Sequence, residues 1–182
     1  MEIERLSDWE IDHSSLAIRP SPLLLIGMGN EGRGDDGVGR VVARRVAALD
    51  LPGVDVVEAD GDAARLLDLW RDRPTVIVVD GVTSGTEEDP APGTLHRFQL
   101  DDGLPDLPAG FARASTHGFG LAEAVALGRV LGNLPARLIV HGVEVGDVAA
   151  GASLSPAVAA AVPVLVERVR SEGRLFQKID PL

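Results

Sequence analysis

Two adjacent aspartates, Asp35 and Asp36, follow a glycine-rich turn near the start of the chain. The turn comes after the apolar run of residues 22–26 and before a segment whose valines have helical spacing. A loop that binds phosphate needs backbone N–H donors or a lysine here, whereas a helix N-terminus favours an ionised carboxylate. The pattern therefore predicts a cation site, with Asp36 as a hard ligand. Asp35 is predicted to be an N-cap rather than a ligand.

Two further side chains with metal-binding chemistry come at the ends of predicted elements. Asp80 follows the apolar run of residues 75–79, and His117 immediately precedes a segment with helical periodicity. If the three apolar runs form parallel strands, Asp36, Asp80 and His117 all lie at the carboxyl edge of one sheet, where ligand sites of open α/β sheets collect. We expect all three side chains to lie near the surface.

The alternation of strand and helix patterns predicts an open, doubly wound α/β fold with three α/β/α layers. Residues 81–93 contain prolines and glycines without a helical period, so the strand after them is predicted to be antiparallel. The sheet is then five-stranded, twisted and mostly parallel, with one antiparallel edge strand, and residues 101–116 return the chain to the carboxyl edge. The predicted strands are 22–26, 54–59, 75–79, 94–100 and 137–145, and the predicted helices are 37–50, a segment capped by Asp62, 118–133, and a segment capped by Ser155.

Composition limits the classes of function. The 182 residues contain no cysteine and have a net charge of −11. Thiolate chemistry is thereby excluded, and repulsion from phosphate disfavours a nucleic-acid partner. The chain has no apolar run long enough for a membrane span, so we expect a cytoplasmic protein without a membrane partner. One domain is predicted over residues 21–174, with an N-terminal extension at 1–20 and a C-terminal tail at 175–182.

Two carboxylates and one imidazole suit a borderline divalent ion such as Zn²⁺ or Ni²⁺. Three protein ligands leave coordination positions open to solvent or to a ligand from a partner. The residues alone do not decide which ion is bound.

Five motifs, in this order and spacing, resemble the maturation endopeptidases of [NiFe] hydrogenases. The resemblance covers roughly residues 22–172, and the motifs are weak singly but specific together. Two features differ from the family pattern, since residues 1–20 precede its usual start and Val145 stands where many members have proline. The motifs are Gly27 to Asn30, Gly34 to Gly39, Val78 to Asp80, Ser115 to Leu121, and Leu154 to Val158.

The resemblance implies a phosphorylase/hydrolase-like fold and a metal-binding catalytic triad of Asp36, Asp80 and His117. It implies that the partner is a hydrogenase large-subunit precursor and that the metal is the nickel already inserted into that substrate. One cleavage then removes the C-terminal peptide of the precursor. Zn²⁺ or another divalent ion is an alternative occupant of the isolated protein. Whether the metal polarises the scissile bond or serves recognition alone stays open.

Three alternatives compete with this interpretation. A dinucleotide-binding loop shares the glycine pattern, but Asp35 and Asp36 would repel pyrophosphate. A peptidyl-tRNA hydrolase opens with a similar strand and turn, but its histidine should follow soon after, and residues 31–40 contain none. The third alternative is a nickel-sensing or escort module of the same fold. Only turnover of a precursor peptide bond distinguishes an enzyme from such a module.

The remaining histidines and one serine give weaker signals. His141 and Glu144 resemble half a zinc motif, but residues three apart on a strand point to opposite faces. His96 alternates with apolar residues and is predicted to be a partly buried strand residue. Ser115 lies close to His117 in sequence, but the chain has no Gly-x-Ser-x-Gly elbow to expose a nucleophile.

Overall fold

The computed structural model describes residues 21–83, 91–101 and 118–179. No helix in these ranges is long and apolar enough to cross a membrane. The predicted N-terminal extension, Ser115 and most of the predicted return segment lie outside the described residues. The strands are β1 Leu23–Met28, β2 Val54–Ala59, β3 Thr75–Val82, β4 Leu95–Asp101 and β5 Arg137–Glu144, and the helices are α1 Val38–Ala47, α2 Ala63–Trp70, α3 Gly118–Leu131 and α4 Pro156–Ile179.

The five strands form one sheet in the order β2-β1-β3-β5-β4. The pairs β1–β2, β1–β3 and β3–β5 are parallel, and β4 is antiparallel to β5 at the edge of the sheet. Every residue of β1 and β3 is buried, because helices cover both faces of these central strands. The predicted sheet, including its antiparallel edge strand, is confirmed.

The helices pack on the sheet in two layers. One face holds α2 and α3, whose Leu66 and Leu121 join the even-numbered core residues of β3. The other face holds α1 and α4, whose Val42 and Leu165 join Ile77 and Val79. The three-layer α/β/α architecture is therefore confirmed, with one core on each side of the sheet.

The ends of the helices test the predicted caps. The Asp62 carboxylate accepts a hydrogen bond from the Arg65 N–H at 2.8 Å, and the Ser155 hydroxyl accepts one from the Val158 N–H at 3.4 Å. Both predicted caps are confirmed. Helix α4 runs to Ile179, past residue 174, where the domain was predicted to end, because residues 175–179 contain neither glycine nor proline.

Candidate carboxylate site at the carboxyl edge of the sheet

The turn after β1 places two carboxylates by folding tightly back on itself. Gly29 has a φ of 127°, and a Cβ atom there would lie 1.9 Å from the Asp36 carbonyl oxygen. Only glycine fits a position that combines this backbone conformation with so close an approach. The chain then forms a 3₁₀ turn at Gly34–Gly37, which carries both aspartates directly into α1.

The start of α1 packs closely against the backbone of two strands. A Cβ atom at Gly39 would lie 2.2 Å from the Val79 carbonyl oxygen and 2.3 Å from that of Met28. The helix therefore approaches the sheet backbone where β1 and β3 lie side by side. The chain leaves these strands toward opposite edges of the sheet, which makes their carboxyl ends the topological switch point.

Asp36 lies at this switch point and is 1 % exposed. Its Oδ2 accepts a hydrogen bond from the Asn30 backbone N–H at 3.1 Å, which fixes the carboxylate against the turn. The expectation of a surface position is wrong for Asp36. The glycines of the turn let the backbone pack so closely that the side chain is enclosed.

Asp80 lies within β3 rather than after it, because β3 continues pairing with β5 as far as Val82 and Glu144. Its side chain is fully buried, so the expected surface position is wrong here as well. A Cβ atom at Gly81 would lie 3.6 Å from the Asp36 Cα, which shows that the end of β3 packs against the 3₁₀ turn. Asp36 and Asp80 are thus brought to the same edge of the sheet.

His117, the third predicted ligand, lies outside the described residues, and its role stays a prediction. Helix α3 begins at the next residue, Gly118. The first turn of α3 packs against the loop after β2, since a Cβ atom at Gly120 would lie 1.5 Å from the Gly61 carbonyl oxygen. The described start of α3 is therefore at the carboxyl edge.

The donor set can be compared with what a divalent ion requires. Carboxylate oxygens suit a hard or borderline cation, and Asp36 and Asp80 supply them from two separate elements. Within residues 21–83, 91–101 and 118–179, no three His, Asp and Glu side chains lie close enough to hold a metal ion. A metal site that used these two carboxylates would therefore need at least one further ligand.

The prediction that Asp35 is an N-cap is wrong. Its carboxylate is fully buried and accepts hydrogen bonds from the backbone N–H groups of Gly146, Asp147 and Ser155 and from the Ser155 hydroxyl, at 3.0, 3.0, 2.6 and 2.9 Å. Burial alone would raise the pKa of the Asp35 carboxyl, but these hydrogen bonds outweigh burial and lower the pKa. Asp35 therefore anchors the chain after β5 to the 3₁₀ turn that carries Asp36.

Two histidines of the sheet, His96 and His141, each pair with a carboxylate, and sequence reasoning missed both pairs. The Nε2 atom of His96 lies 3.1 Å from a carboxylate oxygen of Glu144, and Nε2 of His141 lies 3.0 Å from one of Glu172. The prediction that His141 and Glu144 point to opposite faces of β5 is confirmed by these separate partners. The predicted partial burial of His96 is also confirmed, since 26 % of its side chain is exposed.

The fold and the buried carboxylates define an α/β protein with an acidic site at the switch point of its sheet. Comparison with known proteins narrows this class. The family model for hydrogenase maturation proteases matches residues 40–172. A hydrogenase expression/formation protein HupD from Rhodobacter capsulatus is 32% identical over 162 residues, which are 85% of this chain and 72% of that protein.

Solved structures agree with the family match. The hydrogenase maturating endopeptidase HybD from E. coli superposes with a TM-score of 0.69 at 25% identity, covering 84% of this chain and 91% of that one. The [NiFe] hydrogenase maturation protease HybD from Thermococcus kodakarensis gives 0.65 at 25% identity, covering 83% and 98%. The chain belongs to the hydrogenase maturation protease family and is a hydrolase. This membership favours the protease interpretation over the peptidyl-tRNA hydrolase and dinucleotide-binding alternatives.

Proposed function

We propose that this protein cleaves the C-terminal peptide from a hydrogenase large-subunit precursor after nickel has been inserted into that precursor. The observation that supports the proposal is that two buried carboxylates, Asp36 and Asp80, lie on segments that pack together at the carboxyl edge of the sheet. Membership of the hydrogenase maturation protease family supports the class of substrate.

In this proposal the nickel is part of the substrate. Asp36, Asp80 and His117 bind the ion and leave its other coordination positions to ligands from the precursor. The bond between protein and ion places the adjacent segment of the precursor at the carboxyl edge of the sheet. Cleavage then depends on nickel in the substrate, and the three residues form both the metal site and the catalytic site. Zn²⁺ and other divalent ions fit the same donors in the isolated protein.

We also propose a cytoplasmic location, with no nucleic-acid or membrane partner. The net charge of −11 supports the second point, because phosphate groups of nucleic acids and of anionic lipids would be repelled.

The test uses purified large-subunit precursor in nickel-loaded and nickel-free forms. We expect this protein to shorten only the loaded form, by loss of its C-terminal peptide, as measured by intact mass. Asp80→Asn, which keeps the size of the side chain but removes its charge, is the matched control and should leave the loaded form intact. Equal cleavage of both forms would refute nickel-dependent recognition. Binding of the loaded form without cleavage would favour the escort module.

A further inference from the structure

Asp80 and His96 lie on one transverse row of the sheet. Asp80 of β3 pairs with Gly142 of β5, and Gly142 pairs with His96 of β4. Two strand spacings separate the outer Cα atoms by about 10 Å. Because the residue between them is glycine, no side chain of the sheet separates Asp80 from His96.

Both side chains lie on the same face of the sheet. The side chains of Val78 and Val82 belong to the core beneath α2 and α3. Asp80 lies two residues from each of them along β3, so its side chain points to the same face. Leu100 and Phe98 of β4 pack in the same core, which places His96 on the same face. Since β4 is antiparallel, its first residues lie at the carboxyl edge of the parallel strands, beside Asp80.

His96 is held by a carboxylate on the neighbouring strand. Its Nε2 atom lies 3.1 Å from Oε2 of Glu144, whose side chain is only 2 % exposed. With Glu144 as the acceptor, Nε2 carries the proton of the neutral ring and Nδ1 carries the lone pair. The His96 ring reaches solvent, whereas its partner carboxylate does not. A buried carboxylate that fixes the tautomer of a partly exposed imidazole is the arrangement of a general base.

We propose that His96, oriented by Glu144, is the general base of the peptide cleavage. The proposal rests on the proposed function, because it assumes that the precursor lies at the carboxyl edge beside Asp80. Glu144 acts through His96 and is a positioning residue.

The imidazole of His96 accounts for both proton transfers of the cleavage. Water attacks the scissile carbonyl carbon, a C–O bond forms, and one proton of the water passes to Nδ1 of His96. The C–N bond then breaks, and the imidazolium returns this proton to the leaving nitrogen. The products are a new C-terminal carboxyl group and a free amine, and His96 ends neutral. Glu144 stabilises the imidazolium while it exists.

Within the described part of the chain, the charged groups that face His96 are Glu144 on β5 and Asp80 on β3. The charged side chains of α2 and α3, the helices on this face, are exposed to solvent: Arg65, Asp68, Glu123 and Arg129.

The second histidine–carboxylate pair is a control with matching chemistry. His141 also lies in the sheet and contacts Glu172 at 3.0 Å, but it faces α4 and is fully buried. A fully buried base beneath α4 has no access to a substrate at the carboxyl edge of the sheet. Substitutions there report the structural cost of losing such a pair.

The test measures cleavage of nickel-loaded precursor by two pairs of variants. His96→Gln is compared with His141→Gln, and Glu144→Gln is compared with Glu172→Gln. We expect His96→Gln to lower kcat about a hundredfold at unchanged KM and to remove the acidic limb of the pH–rate profile. Glu144→Gln should shift that limb to lower pH, because the protonated ring loses a charged partner. Both control variants, His141→Gln and Glu172→Gln, should keep the wild-type pH–rate profile. If His141→Gln does not fold, Glu172→Gln alone is the control.

An unchanged kcat and pH profile in folded His96→Gln would overturn the proposal. Equal changes in the two pairs would overturn it too, because the effect would then be structural. Side-chain NMR of His96 and His141 during addition of uncleaved precursor separates this inference from the proposed function. Absence of cleavage by the wild type refutes the proposed function. The assignment of His96 to the site is overturned if its ring signals stay fixed, or move no more than those of His141, when precursor binds.

Discussion

The Asp35 carboxylate accepts hydrogen bonds from both the backbone N–H and the hydroxyl of Ser155, at 2.6 and 2.9 Å, across 120 residues of sequence. Ser155 in turn caps α4 through the Val158 N–H. One carboxylate thus connects the turn that carries Asp36 to the start of the longest described helix. The position of this turn therefore depends on a residue 120 positions further along the chain.

Asp35→Asn should destabilise the fold, although it keeps the size of the side chain. The amide presents N–H donors where the carboxylate faces three backbone N–H groups and one hydroxyl. We expect a loss of about 3 kcal/mol in the free energy of unfolding, measured by urea denaturation. Ser155→Ala is the control, since it keeps the backbone hydrogen bond and should cost about 1 kcal/mol. Equal stabilities of wild type and Asp35→Asn would contradict the anchoring role.

The same carboxylate should make the fold sensitive to acid. The pKa of Asp35 is lowered in the folded protein, so its contribution to stability is complete above the unfolded pKa of about 3.9. That contribution is lost as the pH falls through the lower, folded pKa. Urea denaturation from neutral pH to about pH 2 should therefore show a smaller acid-induced loss in Asp35→Asn than in the wild type. Parallel curves would mean that Asp35 is not the group responsible.

Asp36→Asn, Asp80→Asn and His117→Ala should each abolish processing of the precursor. The two asparagine variants preserve side-chain volume in buried positions, so we expect them to remain folded while losing the negative charge that is proposed to bind the ion. Processing is measured by intact mass of the nickel-loaded precursor, and folding by circular dichroism. Full activity of His117→Ala would remove that residue from the site.

The purified protein should remain folded when divalent ions are removed by a chelator. An open site of two carboxylates and one imidazole binds Zn²⁺ more weakly than a closed structural site, and the cores on both faces of the sheet supply stability without it. Calorimetric unfolding with and without chelator measures the difference. Loss of the thermal transition in the chelated sample would make the ion structural.

Gly39→Ala should separate α1 from the sheet. The new methyl group would lie 2.2 Å from the Val79 carbonyl oxygen and 2.3 Å from that of Met28, and neither backbone atom can move without disturbing the sheet. We expect a loss of about 3 kcal/mol in the free energy of unfolding. Gly32→Ala is the matched control, because the closest atom to its Cβ is 3.5 Å away, an ordinary contact. Similar unfolding curves for the two variants would contradict the close packing at the switch point.

Much of the architecture could be predicted because its signals are local. Continuous apolar runs correspond to the central strands β1 and β3, and helical spacing of valines corresponds to α1. The absence of helical periodicity before β4 was sufficient to predict its antiparallel direction. Parallel strands share a carboxyl edge, so this topology also predicted that the segments carrying Asp36 and Asp80 would lie at the same edge of the sheet.

The sequence by itself determined the layers, the strand directions and the pair of carboxylates, since each depends on periodicity among neighbouring residues. Only the tertiary structure decided that Asp35 anchors Ser155 and that Asp36 and Asp80 are buried. The pairing of His96 with Glu144 likewise depends on the register between β4 and β5. Hydrogen bonds between residues 48 or 120 positions apart follow from how the whole chain packs, and no local pattern specifies their partners.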